Sequence, residues 1–146
     1  MVEIVIHNDI PDEIKSLAEA WHEKYEASKN IQCDFKKFHL LAKENAEIVG
    51  ILIGYTAFSN VYVNELIVKE NFRRQGIGKK LLQRLEQFCN GKNYSDISLV
   101  TNEFQAPDFY KKCGYALEFV RENKHFPAFS KYFFVKWLNS KSVDKK

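Results

Sequence analysis

The chain has 146 residues, the length of one domain, and its 45% hydrophobic and 14% aromatic content is ample for a single core. The net charge of +3 comes from 22 basic and 19 acidic residues interspersed along the chain. With an isoelectric point of 8.7, below the ~9 typical of nucleic-acid modules with a clustered basic face, charge alone decides nothing; no nucleic-acid partner is expected. The longest apolar run, residues 48–53, falls far short of the ~20 needed to span a bilayer, so no membrane partner is expected either.

In chain order, residues 3–7 alternate in polarity and predict a first strand. Nothing in them resembles a basic segment followed by a long apolar core, so a signal peptide is not expected. Asp9-Ile10-Pro11-Asp12-Glu13 reads as a helix entrance with acidic residues in the first turn. Ile14, Leu17, Ala18, Trp21, His22 and Tyr25 then recur at helical spacing, which carries the helix to about Ala27. Residues 38–42 predict a strand and Glu44-Asn45-Ala46 a tight turn. The β-branched and aromatic stretch 47–58 predicts a strand with bulges at Gly50 and Gly54, and 61–69 a further strand.

The period then changes: Ile77, Leu81, Leu82, Leu85 and Phe88 mark a helix that Asn90-Gly91 stops. Residues 96–101 predict a strand, 106–113 a short helix capped by Gly114, and 115–121 and 131–138 two closing strands. The tail 139–146 is polar. The succession is α/β with a mixed, mainly antiparallel sheet of about seven strands in a single domain, 1–138. Cys33, Cys89 and Cys113 are odd in number and widely spaced, without a C-x-x-C. That pattern predicts reduced thiols in the cytoplasm and no metal site.

Between the strand ending at Val68-Lys69 and the following helix stands Arg73-Arg74-Gln75-Gly76-Ile77-Gly78-Lys79-Lys80. Glycines one residue apart permit a tight turn and let a ligand approach backbone N–H groups with no Cβ in the way. The first N–H groups of a helix lack intrahelical acceptors, and its dipole favours an anion. With the flanking cations, the pattern predicts a pyrophosphate cradle. A Walker A loop needs Gly-Lys-Ser/Thr, whereas Lys80 follows Lys79; a dinucleotide fingerprint needs glycine where Leu81 stands. Neither nucleotide motif fits. A nucleic-acid site on the basic stretch 73–80 is a rival reading, marked by steep salt dependence.

Residues 65–82 resemble the acetyl-CoA-binding segment of the GNAT superfamily of N-acetyltransferases, whose Q/R-x-x-G-x-G/A signature is matched by Arg73, Gly76 and Gly78. A second family stretch, A-x-x-F/L-Y-x-x-x-G-F/Y, is matched downstream by Ala106, Phe109, Tyr110, Gly114 and Tyr115. The resemblance implies the GNAT fold, a seven-stranded sheet flanked by about four helices, and acetyl-CoA as cosubstrate. It implies that Arg73, Arg74, Gln75, Gly76, Ile77, Gly78 and Lys79 hold the pyrophosphate. Leu66, Ile67, Val68, Phe109 and Tyr110 would lie along the pantetheine arm. Where the family often carries an asparagine three residues before the alanine, Glu103 stands here, with Asn102 beside it as the candidate contact.

By the same resemblance Tyr110 is the catalytic acid that protonates the departing thiolate, and Glu65 the base that takes the amine proton directly or through water. Each has a plainer reading: Tyr110 as a packed ring with its hydroxyl at the surface, Glu65 as a solvated strand carboxylate or an attractor of cationic substrates. His22 and His39 lie on apolar segments and read as packed. His125 sits in the loop before the last strand, which can overhang an acceptor. Trp21, Tyr25, Phe126, Phe129, Tyr132, Phe133 and Phe134 are candidates for an acceptor wall, the core or an interface. Cys113 reads as a small packed residue, since no His–acid partner is evident. The implied activity is direct acetyl transfer to the primary amine of a small molecule or peptide, with a homodimer compatible with the aromatic last strand. A non-catalytic CoA-binding module is the alternative.

Overall fold

A computed structural model describes residues 1–138; the expected polar tail, 139–146, lies outside the described residues. The chain divides into two compact units, Met1–Asp34 and a second from Phe35 onward. The first contains α1 (Asp12–Ser28), with Pro11 at its N-cap and Asp12 and Glu13 in the first turn, where the helix dipole favours them. Residues 3–7 adopt no strand. The expected seven strands are therefore six, and the expected four helices are three α-helices among the described residues. An alternating pentapeptide becomes a strand only where another strand takes up its N–H and C=O groups, and no local pattern encodes that.

The second unit opens with a three-stranded meander, β1 (Lys36–Glu44), β2 (Glu47–Ala57) and β3 (Asn60–Val68). The β1–β2 turn places Asn45 at φ 49° and Ala46 at φ 71°, the two left-handed residues a tight two-residue hairpin requires. Helix α2 (Ile77–Cys89) crosses to β4 (Asp96–Asn102), which is followed by α3 (Asp108–Lys112), β5 (Ala116–Arg121) and β6 (Lys131–Trp137). The sheet order is β1-β2-β3-β4-β6-β5. Only β3 and β4 pair in parallel, and α2 supplies the crossover that a parallel pair of neighbouring strands requires.

Leu81, Leu82 and Leu85 of α2, with Cys89, pack on Leu52, Val61, Ile97, Leu99 and Phe134. Full burial of each large aliphatic side chain here contributes roughly 1.5–3 kcal/mol. Gly50 lets the helix approach closely: a Cβ there would meet Ile77 Cγ2 at 3.0 Å and Leu81 Cδ1 at 3.2 Å. α3 is shorter than the expected 106–113, because Ala106 is left-handed at φ 56° and Pro107 serves as N-cap. Gly114 closes α3 as expected: at φ 90° it donates to Lys111 O at 3.0 Å while Tyr115 N donates to Tyr110 O at 3.0 Å, a complete Schellman pair. No helix among the described residues is long and apolar enough to cross a membrane.

Candidate active site

The site begins where two parallel strands part. β3 pairs with β4 only from Asn60↔Asp96 to Val63↔Leu99, yet β3 runs on to Val68 and β4 to Asn102. The cause lies on the other side of β3. Its pairing with β2 jumps from Ile53↔Glu65 to Gly54↔Val63, leaving Asn64 as an extra residue, and such a bulge bends and twists its strand. Gly54 permits it, since a Cβ there would stand 2.2 Å from the Tyr62 carbonyl oxygen and 2.7 Å from the Phe38 ring. Gly54 thus adjoins a register shift as expected, but the bulged residue is Asn64. After the bulge Leu66 pairs with Leu52 on the core face, and Glu65 shares the opposite face with Ile53.

Two cavities meet in the gap. A cavity of about 990 Å³ runs from Leu66, Ile67 and Val68 past Arg73, Arg74, Gly76, Ile77, Gly78 and Lys79 to Phe109 and Cys113. A smaller one of about 390 Å³ is lined by Asn64, Glu65, Val100, Thr101 and Asn102. Leu66, Ile67, Gln105 and Tyr110 border both. Of the expected cofactor residues, Gln75 lines neither, and Asn102 lines the smaller cavity alone.

The turn before α2 has the expected anion-binding form. Arg74 (φ 64°) and Gly76 (φ 80°) are left-handed, and Gly76 is the N-cap with no side chain capping the helix. The first helical bond is Lys80 N to Gly76 O at 3.0 Å, so the N–H groups of Ile77, Gly78 and Lys79 have no intrahelical acceptor. A Cβ on Gly76 would meet nothing within 4 Å; backbone conformation, not crowding, calls for glycine there. At Gly78 a Cβ would press on Phe109 Cζ at 3.0 Å, which ties the cradle to α3. These features fit a pyrophosphate. Arg73 does something the sequence did not announce: its Nε donates to Val68 O at 2.9 Å, bracing the end of β3 against the turn.

Tyr110 stands at the junction of the cavities. Its ring packs against Phe109 at 5.1 Å, Phe134 at 5.6 Å and Tyr115 at 6.2 Å between centroids. Burial, with a smaller contribution from Cys113, pushes its hydroxyl up to about 12, so it carries its proton throughout the neutral range. Tyr115 is also raised, first by burial and then by Glu86, to which its hydroxyl donates at 3.4 Å. Glu65 is exposed on the wall of the smaller cavity.

Asn102 is engaged locally: its backbone N donates to Gln105 Oε1 at 2.9 Å and its Nδ2 to the same oxygen at 3.0 Å. Lys131 Nζ reaches Asn102 Oδ1 at 3.4 Å. Gln105 and Asn64 were absent from the sequence reading. Gln105 adjoins the matched Ala106, a position worth inspecting, whereas no sequence signal marks the bulge at Asn64. The late aromatic residues divide. Phe134 is core, Phe133 stacks on Phe119 at 4.6 Å, and Tyr132 bonds Glu103. Phe129 contacts both Phe126 and Phe104, and Phe104 borders the larger cavity. His39 and His125 border neither cavity. The His125 amide donates to Asn123 Oδ1 at 3.1 Å.

The family model for the acetyltransferase (GNAT) family matches residues 7–115. The chain belongs to that family. It is similar to the blasticidin-S acetyltransferase of Streptomyces morookaense, 34% identical over 80 residues, which is 51% of this chain and 55% of the relative. The chain thus spans only about half the length of that curated relative. The crystal structure of an acetyltransferase from Bacillus cereus ATCC 14579 is 28% identical with a TM-score of 0.75, covering 92% of this chain and 98% of that one. An aminoglycoside 6'-N-acetyltransferase complexed with coenzyme A shares the fold at 18% identity and a TM-score of 0.62, covering 86% of this chain and 88% of that chain.

Proposed function

We propose that the chain is an acetyl-CoA-dependent N-acetyltransferase acting on a primary amine, with residues 1–138 as one catalytic domain. The observation that carries this reading is Tyr110, a residue protonated at neutral pH that lines both the larger cavity with its phosphate cradle and the smaller cavity with Glu65. Acetyl-CoA supplies the acetyl group as an activated thioester. The chain's own residues do the rest. The N–H groups of residues 74–79 and the flanking cations hold the pyrophosphate. The edge of β3 from Leu66 to Val68, freed from β4, offers backbone groups to an extended arm, as an added strand would. Backbone donors on that edge polarise the thioester carbonyl.

Glu65 or a water it orders takes the ammonium proton, and Tyr110 faces the departing sulfur. A hydroxyl near 12 lies above an ordinary thiol at about 8.5, so complete proton transfer to a thiolate is uphill. Tyr110 therefore acts chiefly by hydrogen bonding to developing charge. Attack is direct, within a ternary complex, and no metal enters the scheme. The acceptor is a small-molecule or peptide amine. Three free cysteines support a cytoplasmic setting, and the aromatic last strand is compatible with a homodimer.

Thiol release measured across a panel of amines tests the reading. Tyr110→Phe is expected to lower kcat by roughly 10²-fold, within the range for losing one hydrogen-bond donor to developing charge. Glu65→Gln is expected to lower the rate of thiol release. Binding of coenzyme A with no turnover on any amine, in the unsubstituted protein, would favour a non-catalytic module instead.

A further inference from the structure

Helix α3 is only five residues long and has no buried residue of its own, far below the length at which a helix is stable alone. Among the described residues, no hydrogen-bond partner holds the Tyr110 hydroxyl, so its position depends on the packing of its ring and on how α3 is fixed. At the C-terminal end of α3 a cation from β6 does the fixing. Lys136 Nζ donates to Cys113 O, the C-cap carbonyl of α3, at 3.3 Å and pairs with Glu86 Oε1 of α2 at 2.9 Å. The second carboxylate oxygen of Glu86 accepts from Tyr115 OH. Lys136 Nζ also stands 5.5 Å from the centroid of the Tyr115 ring, the ring on which Tyr110 leans.

These groups form a small closed network: α2 through Glu86, β6 through Lys136, and the C-cap carbonyl of α3 with the tyrosine two residues beyond it. The pair is half-buried, with side-chain exposures of 30% and 21%, where screening is weaker than at the surface. The ammonium also lies at the negative end of α3.

We propose that Lys136 is a positioning residue for the transfer reaction, a clamp that, with Glu86, sets the placement of Tyr110 without touching the reactants. The inference rests on the proposed role of Tyr110. Lys136→Met keeps the length and packing of the side chain and removes its charge and donors. Misplacing a reacting group by about 1 Å can cost on the order of 10²-fold. A single lost clamp is expected to lower kcat about 10-fold, with a smaller change in KM for acetyl-CoA, because the N–H groups at the start of α2 do not depend on Lys136.

Two measurements test this. In a double-mutant cycle with Tyr110→Phe, Lys136→Met should cost nothing further, whereas a merely structural role would cost the same factor in both backgrounds and overturn the proposal. Lys136→Arg, which retains charge and donors, should recover most of the lost rate. Hydrogen exchange at the amides of Cys113, Gly114 and Tyr115 should accelerate in Lys136→Met at a temperature well below its melting transition. Unchanged exchange overturns the clamp whatever the kinetics. A silent Tyr110→Phe, with accelerated exchange in Lys136→Met, would remove the proposed role of Tyr110 and with it the clamp's route to the rate, overturning the proposal.

Discussion

Tyr110 combines two properties that usually oppose each other: three rings pack against its own ring, while the residue lines two cavities. Desolvation by that enclosure raises its titration from 10.0 to about 12, and the sign of the consequence for stability can be worked out. In the unfolded chain the phenol loses its proton near 10, in the folded chain near 12. Across that window the folded state holds more protons, so stability falls as pH rises. Unfolding by urea between pH 9 and about 11.5 should show a decline that is shallower in Tyr110→Phe. Part of the decline will persist, since Tyr115 and Cys89 are raised in the same direction, chiefly by burial. A slope unaltered by Tyr110→Phe would contradict the enclosure of the ring.

The cradle depends on the entry to α2. Gly76 is left-handed at φ 80° with open space around a hypothetical Cβ, so Gly76→Ala is strained through its backbone alone. The expected cost is ~1–2 kcal/mol of folding stability, read from the urea midpoint. A larger relative loss is expected in affinity for coenzyme A, read by calorimetry, because relief of the strain would turn the N–H groups of Ile77 and Gly78 away from their common target. Equal coenzyme A affinity in the variant would show that the turn does not hold the phosphates. The turn was legible in the sequence because glycine spacing and a change of hydrophobic period are local signals. The shortening of α3 by Ala106 and Pro107 was half legible: a proline at the start of a helix is a sequence mark, but a left-handed alanine is not.

A ligand that spans the larger cavity touches β3, the cradle and α3 at once, elements that are otherwise joined through the core of the second unit. Its binding should therefore stabilise the folded state as a whole. At an acetyl-CoA concentration 100 times its Kd the expected gain is about 2.7 kcal/mol, seen as a rise in melting temperature that Gly76→Ala diminishes. No rise at millimolar acetyl-CoA would refute the assignment of the cavity.

The residues that make the cradle, the period of α2, the meander before it and the Gly114 stop all follow from neighbours close in the chain, and local chemistry is enough to specify them. Their grouping into one family was equally legible, because two short motifs occur in order. The parting of β3 from β4, the bulge at Asn64 that accompanies it, and the meeting of Glu65, Gln105 and Tyr110 around one gap were not. Those depend on which strands pair and where pairing stops, a balance among residues tens of positions apart. The missing first strand has the same origin. Residues 3–7 have a strand's pattern, but a strand needs a partner to take up its backbone groups, and only the tertiary structure decides whether it has one.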